Sequence, residues 1–213
     1  PESQIPEDTL PAANQLAMSV GNQLSGTLTP ELGFDPHMIS VADRDPADPY
    51  GAVSPHYLVA VTNNEIAWFD KQGTELGRKT IEEFFGKLDG YHLTDPRVLY
   101  DSFEGRFLTS VLRISQNVSG QVTDARVILS VTKTEDPGGA WFQRVFSGVA
   151  NIGGQRGPEQ PTIAVDDDAV YVTGDMHALA GSAASGARPY LWIVDKGVTS
   201  GFYANGTLVK TAF

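Results

Sequence analysis

Short runs of β-branched and aromatic residues, each cut off by a turn within a few positions, fill nearly all of the chain after residue 50. Tyr57 to Thr62 ends at Asn63-Asn64, and Glu65 to Asp70 returns from that hairpin turn. Arg97 to Tyr100 and Arg106 to Ile114 flank a turn at Asp101 to Gly105. In the second of these runs Phe107, Thr109 and Val111 lie on one face and Leu108, Ser110 and Leu112 on the other. Arg126 to Lys133 and Trp141 to Phe146 make a third hairpin, and Thr162 to Val165 with Ala169 to Thr173 a fourth. Tyr190 to Asp195 and Phe202 to Lys210 also read as strands. The chain offers one helix here: Thr80 caps Ile81 to Leu88, with Glu82 and Glu83 near its positive dipole end.

Strands this short and this regularly spaced make a sandwich, a barrel or a propeller, and internal repetition decides among them. A proline-led strand start recurs at Asp48-Pro49, Asp95-Pro96 and Gln160-Pro161. Strand ends of one kind recur too, at Phe69-Asp70-Lys71, Val131-Thr132-Lys133 and Val194-Asp195-Lys196. Units of roughly 45 residues with four strands each are β-propeller blades. The expectation is an all-β chain of four-stranded antiparallel blades, in an incomplete or four-bladed propeller. Residues 34–213 form that domain. Residues 1–33, with prolines at 1, 6 and 11 beside Glu2, Glu7 and Asp8, form an extended arm or linker. Within the arm, Ala12 to Leu24 carries a short helical pattern.

Composition removes several functions. Acidic residues number 26 against 15 basic ones, for a net charge of −11. Such a chain is no nucleic-acid binder, because phosphate contacts need a basic surface. No apolar run reaches the ~20 residues that span a bilayer. With no cysteine there is neither a disulfide framework nor a Cys-based metal site. The chain opens on Pro1 without a basic or apolar leader, as a mature or trimmed secreted protein would. The expected location is outside the cell or on its surface.

Gly51 to Pro55 before Tyr57-Leu58-Val59, Asp95 to Asp101 before Gly105-Arg106-Phe107, Ser130 to Trp141, and Val165 to Tyr171 carry a resemblance. Over residues 48–197 the chain resembles a family of secreted bacterial β-propeller proteins of mostly unassigned function. The resemblance implies the fold and secretion, and it carries over no catalytic residue. Inside it, Thr134-Glu135-Asp136-Pro137-Gly138-Gly139-Ala140-Trp141 is similar to the Asp-box of sialidase-type propellers. That likeness implies structural turn roles for Thr134, Asp136, Gly138 and Trp141. The Asp136 carboxylate would be a buried acceptor for its own turn, Gly138 would supply an unusual φ, and Trp141 would pack between blades. Ala140 stands where threonine is usual.

Candidate chemistry is sparse. Asp166, Asp167 and Asp168, with Asp175 nearby, are the candidate metal ligands, and clustered oxygens suit Ca²⁺. The competing reading is a solvated hairpin tip. Asp35, Asp43, Asp45 and Asp48 form a second acidic loop. His37, His56, His92 and His177 are too dispersed for a local zinc pair. Gly153 to Gly157 lacks the Lys-Ser/Thr of a phosphate loop, and there is no Gly-x-Ser-x-Gly elbow. Arg97 and Arg106 are expected to pair with Asp101 and Glu104.

The main functional reading is a non-enzymatic extracellular propeller for binding or assembly at a cell surface or in the matrix. One alternative is a glycan-acting hydrolase or lyase with its site in the channel. It would be marked by acids and arginines converging at one mouth with raised carboxyl pKa values. A structural subunit of an extracellular polymer is another alternative. The expected partners are another chain or copy that completes the propeller and a glycan or surface ligand. An unclosed ring would otherwise leave apolar blade faces open.

Overall fold

The structure, a computed structural model, describes residues 46–86 and 90–213. The arm of residues 1–33, its helical pattern, His37 and the acidic loop at Asp35, Asp43 and Asp45 lie outside the described residues.

Three antiparallel sheets follow one another along the chain. The first runs β1 (Tyr50–Val53), β2 (Tyr57–Val61), β3 (Glu65–Asp70), β4 (Glu75–Thr80) in spatial order. A one-turn helix, α1 (Ile81–Phe85), follows it. The second runs β5 (His92–Asp101), β6 (Arg106–Gln116), β7 (Val122–Thr132), β8 (Trp141–Ser147). The third holds β9 (Ala150–Asn151), β10 (Gln155–Val165), β11 (Ala169–Ala178), β12 (Arg188–Asp195) and β13 (Lys210–Ala212). A second one-turn helix, α2 (Phe202–Asn205), lies between its last two strands. Consecutive up-and-down sheets packed face to face are β-propeller blades, as the repeat spacing predicts. The described residues build three of them. Among these residues no helix is long and apolar enough to cross a membrane.

The alternation read from Phe107 to Leu112 has a direct structural meaning. Phe107 and Val111 face the first sheet, where they pack with Val59, Val61, Ile66 and Trp68. Leu108 faces the third sheet, in a core with Leu129, Val170, Val172 and Trp192. The second sheet is thus apolar on both sides, as a sheet between two others must be.

Two sequence expectations need correction. The proline-led starts are strand starts only at Pro49; β5 and β10 begin upstream of Pro96 and Pro161. Both prolines sit where the register to the neighbouring strand shifts, between Thr94 and Arg97 and between Glu159 and Thr162. Proline has no N–H to give the ladder, so a bulge is where a strand tolerates it. Asp48, Asp95 and Gln160, each just before its proline, all have left-handed φ, at 45°, 54° and 47°.

Phe202 to Lys210, expected as a strand, instead contains α2 and a short tail into β13. Tyr203 and Phe202 are buried in the second core, and Gly206 ends the turn in the left-handed conformation. Burial of that aromatic pair overrides its strand propensity. The capping of α1 is as expected: Thr80 Oγ1 accepts from Glu83 N at 3.1 Å, and Glu83 Oε2 accepts from Thr80 N at 2.9 Å. Phe84 and Phe85 of α1 pack in the core between the first two sheets, as Phe202 and Tyr203 of α2 pack in the core between the second and third.

Candidate functional site

The first strands β1, β5 and β10 lie side by side, so the three left-handed positions converge. A hydrogen-bonded chain joins them. Asn63 Nδ2 donates to Pro46 O at 2.8 Å and to Asp48 Oδ2 at 2.9 Å. Asn63 Oδ1 accepts from Asp95 N at 2.9 Å, and Asp95 Oδ2 accepts from Gln160 N at 3.0 Å. Asn63 and Asp95 are 4% and 8% exposed, so these bonds are shielded from water.

A cavity of about 620 Å³ opens beside this chain, with Asp48, Asp95, Glu159 and His177 among its walls and Leu112, Ile114 and Leu179 as its apolar lining. Burial pushes the Asp95 carboxyl above its ordinary pKa. Hydrogen bonds from Gln160 and Thr94 oppose that rise, the charge of Asp48 adds to it, and Arg97 opposes it; burial prevails. Glu159 and Asp175, opposite each other on β10 and β11, flank His177 Nε2 at 3.2 and 3.4 Å; all three are exposed, and Glu159 and His177 line the cavity. Among the described lining residues there is no lysine or arginine. The arrangement provides a protonatable acid, an exposed carboxylate and apolar surface in one lining.

The expected metal ligands do not come together. Asp166, Asp167 and Asp168 occupy the β10–β11 turn, while Asp175 lies six residues into β11, about 20 Å away along the strand. Asp166 Oδ1 accepts from Asp168 N at 3.0 Å and Ala169 N at 2.9 Å, and its Oδ2 accepts from Tyr171 OH at 2.6 Å. The Tyr171 hydroxyl and those amides hold the Asp166 carboxyl below its ordinary pKa. Among the described residues no group of three or more His, Asp or Glu side chains is placed to hold a metal ion. The aspartates are a hydrogen-bonded, solvated turn.

Thr134 to Trp141 forms the β7–β8 connection. Thr134 Oγ1 accepts from Asp136 N at 3.3 Å, Asp136 Oδ1 accepts from Gly138 N at 2.8 Å, and Trp141 Nε1 donates to Pro137 O at 2.9 Å. Two details differ from the expected turn. Asp136 is exposed rather than buried. Gly138 does not have positive φ; its need is for space, since a Cβ there would stand 3.0 Å from Trp68 Nε1. The Trp141 ring meets Phe84 edge to face at 5.1 Å, between the first two blades.

Arg97, Arg106 and Arg156 have structural partners. Arg97 lies over the Tyr50 ring and donates to Pro96 O, and Arg106 donates to Tyr203 O at 2.6 Å, so neither makes its expected carboxylate pair. Asp101 is taken instead by Lys196 and Tyr203 of the third blade, each 2.7 Å from Oδ2. Arg156, 1% exposed, donates to the carbonyls of Ile152, Met176, Ser185 and Gly186. The glycine-rich stretch around it therefore anchors a loop.

Sequence reasoning passed over Asn63, Glu159 and Lys196. A signal was present for Glu159, which immediately precedes the third proline-led start, whereas Asn63 reaches Pro46 and Asp48 only through the fold.

No family model and no curated protein matches the sequence. Among the solved structures similar to it in fold are the following two. One is a xylan β-1,4-xylosidase from Bacillus halodurans C-125, 13% identical, covering 71% of this chain and 37% of that one, with a TM-score of 0.40. The other is a GH43 β-1,3-galactosidase with galactodeoxynojirimycin, 13% identical, covering 77% of this chain and 61% of that one, with a TM-score of 0.43. The chain therefore spans less than two thirds of either protein's length.

Proposed function

We propose that the cavity beside the converging first strands is a glycan-hydrolysing site, with Asp95 as the acid and Glu159 as the base. The reading rests on one observation: Asp95, 8% exposed at the cavity wall, has its carboxyl pKa raised by burial. A carboxyl whose protonated form burial favours can give its proton to a glycosidic oxygen as the bond to the anomeric carbon breaks. Glu159 then takes the proton of the attacking water. Asp48 and Asn63 orient Asp95 through its backbone. The wall's acids, without a described lysine or arginine, favour a neutral sugar over a uronate or sialate.

The experiment is turnover of neutral aryl glycosides and polysaccharides between pH 4 and 8, at an extracellular location as the sequence suggests. Asp95→Asn should lower the rate roughly 10²–10⁴-fold with the fold intact, and Glu159→Gln should do likewise.

A second reading has an observation of its own. Both Asp95 oxygens already accept bonds from the chain, Oδ2 from Gln160 N and Oδ1 from Thr94 Oγ1 at 3.2 Å. That usage suits a non-enzymatic binding or assembly propeller in which Asp95 fastens blades. Saturable glycan binding without turnover by the unaltered chain would select this second reading.

A further inference from the structure

Each blade opens with the same turn device. Six residues after each left-handed pre-proline position stands Ser54, Asp101 or Asp166. Each uses one side-chain oxygen to accept backbone N–H groups two and three residues on: Ser54 from His56 and Tyr57, Asp101 from Phe103 and Glu104, Asp166 from Asp168 and Ala169.

In the first two blades the same turn is also gripped by the next blade. Glu135, in the loop after the third strand of the second blade, takes His56 Nδ1 of that turn at 2.8 Å. Lys196 and Tyr203, after the corresponding strand of the third blade, converge on Asp101 Oδ2. The polarity is matched in each case: an acceptor meets the donor-bearing turn, and donors meet the carboxylate turn.

Asp166 offers the third blade's version of this grip; its Oδ2 accepts from Tyr171 of the following strand, and the Lys196 charge of the same blade also acts on the carboxyl. The sheet behind it is built to be covered. The residues that alternate with the buried Val170, Val172, Trp192 and Val194 point the other way. On two adjoining rungs they are Ala164, Tyr171 and Ile193, and Thr162, Thr173 and Leu191. None of these six is charged, on a chain with 41 charged side chains of Asp, Glu, Lys and Arg, 26 acidic and 15 basic. The charged residues of the same face stand at its two ends, Asp195 across from Ala169 and Glu159 across from Asp175.

We infer that this face docks a further four-stranded blade on a partner chain, whose loop after its third strand presents a lysine or arginine and a hydroxyl to Asp166. The stacking of first on second and second on third blade sets the orientation, and the carboxylate at Asp166 sets the sign of the partner's charge. The inference is independent of any chemistry in the cavity.

The test places photoreactive benzoylphenylalanine at Thr173 in the protein as its own cells produce it, followed by irradiation and peptide mapping. The expected product is an adduct to a second polypeptide, on a strand of a four-strand repeat with Lys or Arg in the loop after strand three. Asp166→Lys should reduce that adduct at least tenfold at a temperature where circular dichroism shows the variant still folded. Reversing the partner's basic residue to glutamate should restore it. An adduct confined to one polypeptide, an adduct to a second copy of this same sheet, no adduct at all, or indifference to Asp166→Lys would each overturn the inference.

Discussion

Tyr203 and Asp101, 102 residues apart in the chain, share a 2.7 Å hydrogen bond in which the phenol donates to a carboxylate with no exposure to solvent. Burial and that bond push the Tyr203 hydroxyl far above its ordinary pKa, so it stays a donor. The ammonium of Lys196, also buried, lies 2.7 Å from the same oxygen. Lys196→Met leaves the Asp101 charge buried without its counter-charge and should cost about 3–5 kcal/mol. Tyr203→Phe removes one neutral donor and should cost about 1–3 kcal/mol. Urea titrations of the two variants would measure the difference. Equal costs would mean that the ion pair adds nothing beyond a hydrogen bond.

Asp95 makes stability fall as pH rises. Its folded pKa is above the unfolded value, so the folded state holds the proton more tightly. Across the window from the unfolded pKa of about 4 up to the folded value, the unfolded chain releases the proton first, and stability declines. Asp95→Asn cannot titrate and should remove that decline. Melting temperatures taken from pH 4 to 7 should therefore diverge, with the variant gaining on the unaltered protein as pH rises. Parallel curves would contradict the assignment.

The Trp68 indole separates two kinds of glycine and turn effect. A Cβ on Gly77 would overlap that ring, so Gly77→Ala should cost about 1–3 kcal/mol through overpacking. Asp136→Ala removes an exposed acceptor of one 2.8 Å bond and should cost only about 0.5–1.5 kcal/mol. Denaturant midpoints rank the two. A larger loss at Asp136 would restore the buried-acceptor picture of that turn.

Arg156→Met should cost on the order of 3–5 kcal/mol, since the four carbonyls that face the buried guanidinium lose their donors together. Hydrogen exchange should show the Ser182–Gly186 segment opening first. Uniform protection across the third sheet in the variant would argue against an anchoring role.

The blades were legible because strand chemistry is local. Asn63-Asn64, Asp101 to Gly105 and Asp166 to Asp168 announce their turns within a few residues, and the two faces of Arg106 to Ile114 are readable from alternation, while their burial against two different sheets is not. The prolines at 49, 96 and 161 marked the repeat correctly. That two of them sit at bulges in mid-strand was invisible, because a bulge depends on the neighbouring strand's register. The aspartate tetrad misled for a related reason. Proximity in sequence brings Asp175 near Asp168, but an extended strand carries them apart. Long-range pairs such as Asp101 with Lys196 have no local signature at all.

Flat sheets arranged like spokes draw apart with distance from the hub, and side chains of ordinary length cannot bridge the widening gap. Here each gap is closed by one turn of helix carrying an adjacent aromatic pair, Phe84-Phe85 in one and Phe202-Tyr203 in the other. Each pair fills a seam that the strands' own side chains leave between two sheets, so trimming its rings would open that seam and loosen one sheet against the next.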